Sequence, residues 1–522
     1  MTLLSISLTL FIMMTLPLAL AIGLRRRFAA PWWLFCVGML TFVAAQALHL
    51  PLNKLLTDWG VLPAGPDGGP LWLWALLLGF TAALCETLAR VVGYALLFRR
   101  GQAGQWSDGV MLGLGHGGIE SFGLVATLTA ASVSALWGLR GTDLSTLAIP
   151  AGQLATVQQQ LAALDSAPWL TLLAGYERLL ALTLHVALSL LVWQGFKRRS
   201  PLPVLLALLA HMLFDSAAVY LAQQVSSTWL LEGILTLLAL PALGWIVWSG
   251  RGRAPAPPHH AAPLASDLAL FGAALRKELR QQWRTRSLVV VVAIFLFFGL
   301  GSPLLARFTP ELLGSLPGAE QFAELIPKPT TADALSQYIK NITQFGFIIA
   351  VLLGMGAVAG EKDRGTTAMI LSKPLPRWGF VLSKFAAQGL VYGLGFALAA
   401  LGAYYYTLVL FDPPLVLGAF VWGNALLLTW LLVFAAVTLL ASTLARAVGQ
   451  AAGLALAGAV LLLLAGSLPV VGGFAPAGLV AWASQLGLGA AVTPVGGALV
   501  ANLALILVLL ITAVAAFEVQ EL

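Results

Sequence analysis

Apolar runs of roughly 20 residues recur along almost the whole chain, and nothing else constrains its fold so strongly. Each run is long enough to cross a bilayer as a helix. The spans read as Leu3–Gly23, Pro31–Leu52, Leu71–Phe98, Asp108–Trp137, Pro168–Gln194, Pro201–Leu221 and Trp229–Trp248. They continue as Leu288–Leu305, Phe345–Ala359, Phe380–Leu410, Leu417–Leu440, Gly449–Leu468 and Val495–Phe517. The expected fold is an all-α polytopic membrane protein of about 13 transmembrane helices in two bundles, seven and six.

Composition agrees. The chain is 60% hydrophobic and 9% charged, against about 25% charged in soluble domains. Its net charge of +7 points to no nucleic acid, because the bases gather at span ends. Cys36 and Cys85 lie in apolar spans and make neither a ligand spacing nor a disulfide framework. The first span carries no positive charge before it and Arg25-Arg26-Arg27 after it, the reverse of a secretory signal.

Charge placement orients the spans. Arg25–Arg27, Arg99-Arg100, Lys197–Arg199, Arg251–Arg253, Lys277–Arg286, Glu361–Arg364 and Arg446 fall on one side. Asp58, Asp67, Asp143 and the acidic stretch Glu311–Asp333 fall on the other, with single bases at Lys54, Arg140 and Arg307. By the positive-inside rule the N-terminus is outside and the C-terminus cytoplasmic, in a plasma (inner) membrane. The Pro/Ala-rich stretch Gly250–Pro263, with His259-His260, cannot span and reads as a stiff cytoplasmic linker. It separates a domain at 1–249 from one at 266–522, with 250–265 between them.

Several ionisable residues lie inside apolar spans of the first domain, where each costs several kcal/mol unless it is paired or faces a polar cavity. Glu86 and Arg90, His116 and Glu120, and His211 and Asp215 form i, i+4 pairs on single helix faces. His185 stands in another span, with Ser189 one turn on and Glu177 about two turns back; His49 sits near a span's end. Glu86 lies 13 residues from Arg99, His185 12 from Lys197 and His211 12 from Arg199. At 1.5 Å per residue all three sit ~18–20 Å from the basic side, close to one plane. A carboxylate beside histidines is able to activate water, and a second His with an Asp to stabilise an oxyanion and protonate a leaving amine. Arg90 would keep Glu86 ionised and oriented. No serine elbow, HExxH or paired-aspartate motif is present. Three His and a Glu also suit Zn²⁺, which leaves zinc open although no metal ligand is assigned.

These residues carry a resemblance. ETLAR (Glu86–Arg90), His185 and HMLFD (His211–Asp215) resemble the motifs of CPBP-type glutamic intramembrane proteases. QALHLPLN (Gln46–Asn53), GLGHGGIES (Gly113–Ser121) and Glu177-Arg178 with His185 resemble the YhfC branch of that clan, over roughly Leu3 to Trp248. The resemblance implies Glu86 as water-activating base, His185 as its assistant, and His211 with Asp215 as the oxyanion-stabilising pair. His116 and Glu120 belong to the YhfC-like motif without an assigned role. Cys85 stands where the wider clan has a second glutamate, and Ala181 where it has Phe.

The second domain differs. Leu268, Phe271, Leu275, Leu279 and Trp283 form an apolar stripe flanked by Arg276, Lys277, Arg280 and Arg284, the pattern of an interfacial amphipathic helix. An outer loop within Arg307–Thr343 is expected next, then the turn EKDRGTTAMILSKPLPRWGFVLSK (Glu361–Lys384). That turn resembles the signature of ABC-2-type permeases, as does the Gly/Pro-broken segment Ser467–Pro494 before the last span. The resemblance covers about Ser266 to Leu522. It implies that Glu361, Asp363, Arg364, Gly365 and Thr366, with the surface helix, couple to a separate ABC ATPase. The chain has no Walker A motif of its own. The combined expectation is an intramembrane endopeptidase fused to an exporting permease, surrounded by lipid, acting on a membrane peptide or protein, and able to form a homodimer. The rivals are a permease with an inactive pseudoprotease bundle and a zinc-dependent membrane hydrolase.

Overall fold

Twelve helices among the described residues are long and apolar enough to cross a membrane. Six precede residue 251 and six follow residue 286, so the chain is a multi-pass, all-helical membrane protein. The computed structural model describes residues 2–140, 144, 151–252, 264–314, 328–469, 471–487 and 496–521. Most of the expected linker, with His259-His260, lies outside these residues. So do Asp143, residues 315–327 of the expected outer loop, and residues 470 and 488–494 of the Gly/Pro-broken segment.

The helices are α1 (Thr2–Phe28), α2 (Trp32–Asp58), α3 (Leu71–Arg99), α4 (Trp106–Ile119), α5 (Ala126–Leu139), α6 (Ala151–Ser166), α7 (Thr171–Arg198), α8 (Leu202–Gln224) and α9 (Thr228–Gly250). After them come α10 (Leu264–Arg284), α11 (Ser287–Gly314), α12 (Thr331–Gly354), the short α13 (Ala359–Asp363) and α14 (Thr366–Leu371), α15 (Arg377–Leu410), α16 (Leu417–Leu444), α17 (Val448–Gly466), α18 (Pro476–Gly487) and α19 (Gly496–Glu518). They fall into two compact units, one comprising residues 1–129 and 143–261, the other 130–142 and 262–522.

The expected span Asp108–Trp137 accounts for the difference between thirteen and twelve. A π-helical segment, Glu120–Val125, separates α4 from α5, and neither piece alone reaches spanning length. Such widened turns interrupt the i→i−4 ladder and recur at functional sites. In the second unit α12 begins at Thr331 rather than Phe345. A capping box starts it: the Asp333 carboxylate accepts from the Thr330 backbone N–H at 2.8 Å, and the Thr330 hydroxyl accepts from the Asp333 N–H. Much of the expected outer loop is therefore helix, and Asn341 donates to Ser302 of α11 at 2.9 Å.

Close helix approach shapes the first unit. A Cβ on Gly115 of α4 would lie 2.0 Å from the Phe35 carbonyl oxygen of α2, and one on Gly79 of α3 would lie 2.7 Å from the Ser216 nitrogen of α8. Only glycine permits these backbone contacts. They draw α2, α3, α4 and α8 together at the level of the ionisable residues. The second unit packs on aromatics. Phe295 meets Phe396 at 5.0 Å, Trp430 meets Phe434 at 4.8 Å, and Leu479 and Ala483 of α18 join the same core.

Candidate active site and a second ionic cluster

Glu86 is the hub of the first unit. It stands on α3 one turn before Arg90, and its Oε2 lies 3.0 Å from His116 Nε2, 3.3 Å from Arg90 NH2, 3.7 Å from His211 Nε2 and 3.8 Å from His185 Nδ1. Its Oε1 accepts a long bond from Gln46 Nε2 at 3.4 Å. Arg90 and His116 are 0% exposed and His211 1%. The four helices α3, α4, α7 and α8 each contribute, so the shared depth read from the sequence corresponds to one cluster.

The remaining expected residues attach to this hub from outside. Asp215 reaches His211 Nε2 at 3.2 Å, one turn along α8. Glu120, at the start of the π segment, places Oε2 2.5 Å from His185 Nε2. His49 is not part of the hub; it bonds Gln46, Asn53 and Thr81. Glu177 faces Arg178 at 3.9 Å, and Arg178 holds Glu120 at 3.1 Å. Thr41, which meets His116, is a further participant that the sequence does not single out, and Gln46, the first residue of the QALHLPLN motif, meets Glu86.

Hydrogen bonding sets the ring states. Arg90 NH2 approaches His185 Nδ1 at 2.7 Å, and a guanidinium donates only, so Nδ1 accepts. The neutral ring then carries its proton on Nε2, the nitrogen that lies 2.5 Å from Glu120 Oε2. His116 has two settings. The Thr41 hydroxyl reaches the Gly38 carbonyl oxygen at 2.7 Å and His116 Nδ1 at 2.9 Å, and it has one proton. When that proton goes to Gly38, His116 Nδ1–H donates to Thr41 and Nε2 turns a lone pair toward Glu86. When it goes to His116, Nε2–H donates to Glu86.

In the first setting the donor atoms of Glu86, His116 and His185 could hold a cation. Ligand atoms of Glu86, His116 and His185 all lie within 4.8 Å of one another and all three residues are buried. Donors around a tetrahedral zinc at about 2.0–2.1 Å are roughly 3.3 Å apart, so the widest pair would have to close by up to about 1.5 Å. One guanidinium nitrogen of Arg90 bonds both Glu86 Oε2 and His185 Nδ1, so a positive group already joins two of the three donors. The donor types suit a divalent ion that would replace the Arg90 bond to His185 and leave the Arg90 bond to Glu86 in place.

A second buried ionic cluster lies in the other unit. Lys384 Nζ of α15 is 3.0 Å from both Glu278 Oε1 and Glu361 Oε1. Lys277 Nζ is 2.8 Å from the same two oxygens. Two ammonium groups thus alternate with two carboxylates, joining α10, α13 and α15. Burial works against the charge of Lys277, yet its bonds to Glu278 and Glu361 hold it above the ordinary lysine range. Of the expected coupling residues, Asp363, Arg364 and Gly365 are exposed and Thr366 is half-buried. Glu361 is 4% exposed and both lysines hold its Oε1, so it stands behind that surface rather than on it. Gly365 has φ +66°, the left-handed region that favours glycine. Ser442 accepts from the Val358 and Ala359 N–H groups at 3.0 Å each, fixing the entry to this turn from α16. A cleft of about 590 Å³ opens beside it, lined in part by Ala273, Lys277, Arg364, Met369, Lys373 and Phe380.

Comparison with known proteins follows the same division. Residues 12–235 match the family model of the YhfC intramembrane metalloprotease, and residues 273–522 match that of the ABC-2 family transporter protein. The chain is similar to the uncharacterized membrane protein YhfC of Bacillus subtilis, 28% identical over 241 residues, covering 45% of this chain and 92% of that one. It is similar to the uncharacterized transmembrane protein YxlG of the same organism, 27% identical over 183 residues, covering 34% and 70%. It is also similar to the probable ABC transporter permease protein NosY of Pseudomonas aeruginosa, 30% identical over 187 residues; these cover 34% of this chain and 63% of NosY, less than two thirds of its length. No solved structure matches the chain. The chain joins a YhfC-like membrane domain to an ABC-2 permease-like domain, as both motif resemblances implied.

Proposed function

We propose that residues 1–249 form an intramembrane endopeptidase that depends on a divalent metal, and that residues 266–522 form a permease subunit served by a separate ATPase. The observation that carries the first half is the buried approach of Glu86, His116 and His185 ligand atoms within 4.8 Å. The word metalloprotease in the matching family description points the same way. Glu86 Oε2, His116 Nε2 and His185 Nδ1 would hold the ion. When bound, it would supply Lewis acidity toward a carbonyl oxygen and make water nucleophilic at neutral pH. The chain's own groups do the rest. Arg90 brings positive charge against the carboxylate, available to a developing oxyanion. His211, held by Asp215, stands 3.7 Å from Glu86 Oε2 and is placed to carry a proton to the leaving amine.

One observation favours a metal-free second reading: Arg90 NH2 occupies the gap between Glu86 and His185. There Glu86 is the water-activating base and His185 its assistant. The test is metal analysis with a membrane-peptide cleavage assay on purified protein. We expect about one zinc per chain and cleavage lost to a chelator and restored by zinc. Chelator-resistant cleavage would establish the metal-free route, and absence of cleavage under every metal condition would leave a pseudoprotease.

The positive-inside pattern supports N-out, C-in insertion in a plasma (inner) membrane, with the α13–α14 turn facing the cytoplasm. Asp363, Arg364, Gly365 and Thr366 would then meet the ATPase, with Glu361 supporting them from behind. Gly365→Val places a β-branched residue at positive φ and is expected to reduce ATPase co-purification while peptide cleavage survives. Unchanged co-purification would remove the docking role.

A further inference from the structure

Arg178 and Glu120 have no part in the mechanism above, yet Arg178 grips Glu120, and Glu120 abuts His185, which does. Arg178 NH1 donates to Glu120 Oε1 at 3.1 Å, and Glu120 Oε2 lies 2.5 Å from His185 Nε2. Arg178 and His185 are seven residues apart on α7. Seven residues bring a helix round to nearly the same face, about 10 Å further along. One face of α7 therefore holds both oxygens of a single carboxylate, two turns apart. Glu120 needs that grip. It closes α4 with its backbone N–H on the His116 carbonyl and opens the π segment, and its side chain has several rotatable bonds that the backbone does not fix. The Arg178 and Glu120 side chains are only 16% and 18% exposed.

We propose that Arg178 is a positioning residue. It clamps Glu120 against His185 Nε2, and with Arg90 on Nδ1 the two partners together hold the ring as the Nε2–H tautomer beside Glu86. The inference rests on the Glu86 cluster being the functional centre, and it serves the metal-bound and metal-free readings alike. A carboxylate behind a histidine is the usual means of orienting a metal-binding ring, and loss of such a partner typically weakens metal binding by about 10–100-fold. Here the carboxylate itself requires a third group. Glu177, 3.9 Å from the other guanidinium nitrogen, also faces Arg178 but does not reach His185 through any contact of its own.

The experiment uses the full-length protein with ¹⁵N-labelled histidine rings, His185 being assigned by difference with His185→Asn. Ring nitrogen shifts are recorded without metal, and zinc affinity is measured separately by competition with a chelating dye. Wild type is expected to show His185 protonated at Nε2. Arg178→Met is expected to mix the tautomers and weaken zinc binding about 10–100-fold. Arg178→Lys should recover part of both, since an ammonium still reaches one oxygen. Arg178→Gln, a milder change for folding, should show the same loss in weaker form. An unchanged His185 tautomer in the Met and Gln variants overturns the proposal. Should wild type bind no zinc, the metal reading falls while the tautomer measurement still decides the role of Arg178.

Discussion

Glu86→Gln is expected to lower membrane-peptide cleavage by about 10²-fold or more. The side chain keeps its shape and loses its charge and proton affinity. Five groups converge on this carboxylate: His116, Arg90, His211 and His185 at Oε2, and Gln46 at Oε1. No neutral amide satisfies that set, because Arg90 NH2 requires an acceptor where the amide may place its own donor. Stability should fall too, since Arg90 is 0% exposed and loses its carboxylate. The rate must therefore be read on protein shown by size-exclusion and helix content to be folded. Glu86→Asp separates the two effects. It retains a charge for Arg90 but draws the carboxylate back by one methylene, so most stability should return without the rate. Wild-type turnover in both variants would move the essential carboxylate to Glu120 or Asp215. Zinc content adds a further reading: it falls in Glu86→Gln if the carboxylate is a ligand and is unaffected if it serves only as base.

Much of this centre was legible because helix periodicity is. Glu86 with Arg90 and His211 with Asp215 are one turn apart, and those contacts exist as spacing implies. Distance to the basic span ends placed the helices at one depth before any packing was known. What could not be read is what depends on helix packing or on neutral groups. His116 and Glu120 share i, i+4 spacing, yet they serve different partners, Glu86 on α3 and His185 on α7, which only the packing of α4 between those helices decides. Thr41 resembles any polar residue in a span, and Gln46, though it opens the QALHLPLN motif, shows its contact with Glu86 only when α2 packs on α3. In the second unit Lys384 read as the end of a charged turn. Packing of α10 onto α15 instead buries it to 2% exposure. Glu361 read as a docking residue for the same reason, a charge next to a turn, and the lysines draw it inward.

Lys384→Met is expected to be the most damaging single change in the second unit, at about 3–5 kcal/mol of local stability. The ammonium sits between Glu278 and Glu361 at 3.0 Å from each, and lies 4.7 Å from the Phe380 ring centre. Glu278 and Glu361 are 7% and 4% exposed. Without Lys384 two buried carboxylates face one another with only Lys277 to divide between them, and Lys277 is 43% exposed in its side chain. An exposed ammonium is screened by water, so Lys277→Met should cost no more than about 1 kcal/mol. The contrast between two lysines touching the same oxygens is the core of the prediction. Two units in one chain forbid a single unfolding free energy. Hydrogen exchange over residues 264–284 and 377–384 is the suitable measurement. Lys384→Met should speed exchange in α10, because Glu278 loses its buried partner on α15. Adding Glu278→Gln should recover part of the protection by removing one of the stranded charges, a coupling that independent sites would not show. Equal exchange in wild type and Lys384→Met would mean that apolar packing, such as Phe271 on Trp378 at 5.8 Å, holds α10 without the ions. If α10 does loosen, the cleft beside Arg364 loses one wall, and ATPase co-purification should fall with it even though no exposed coupling residue has been changed.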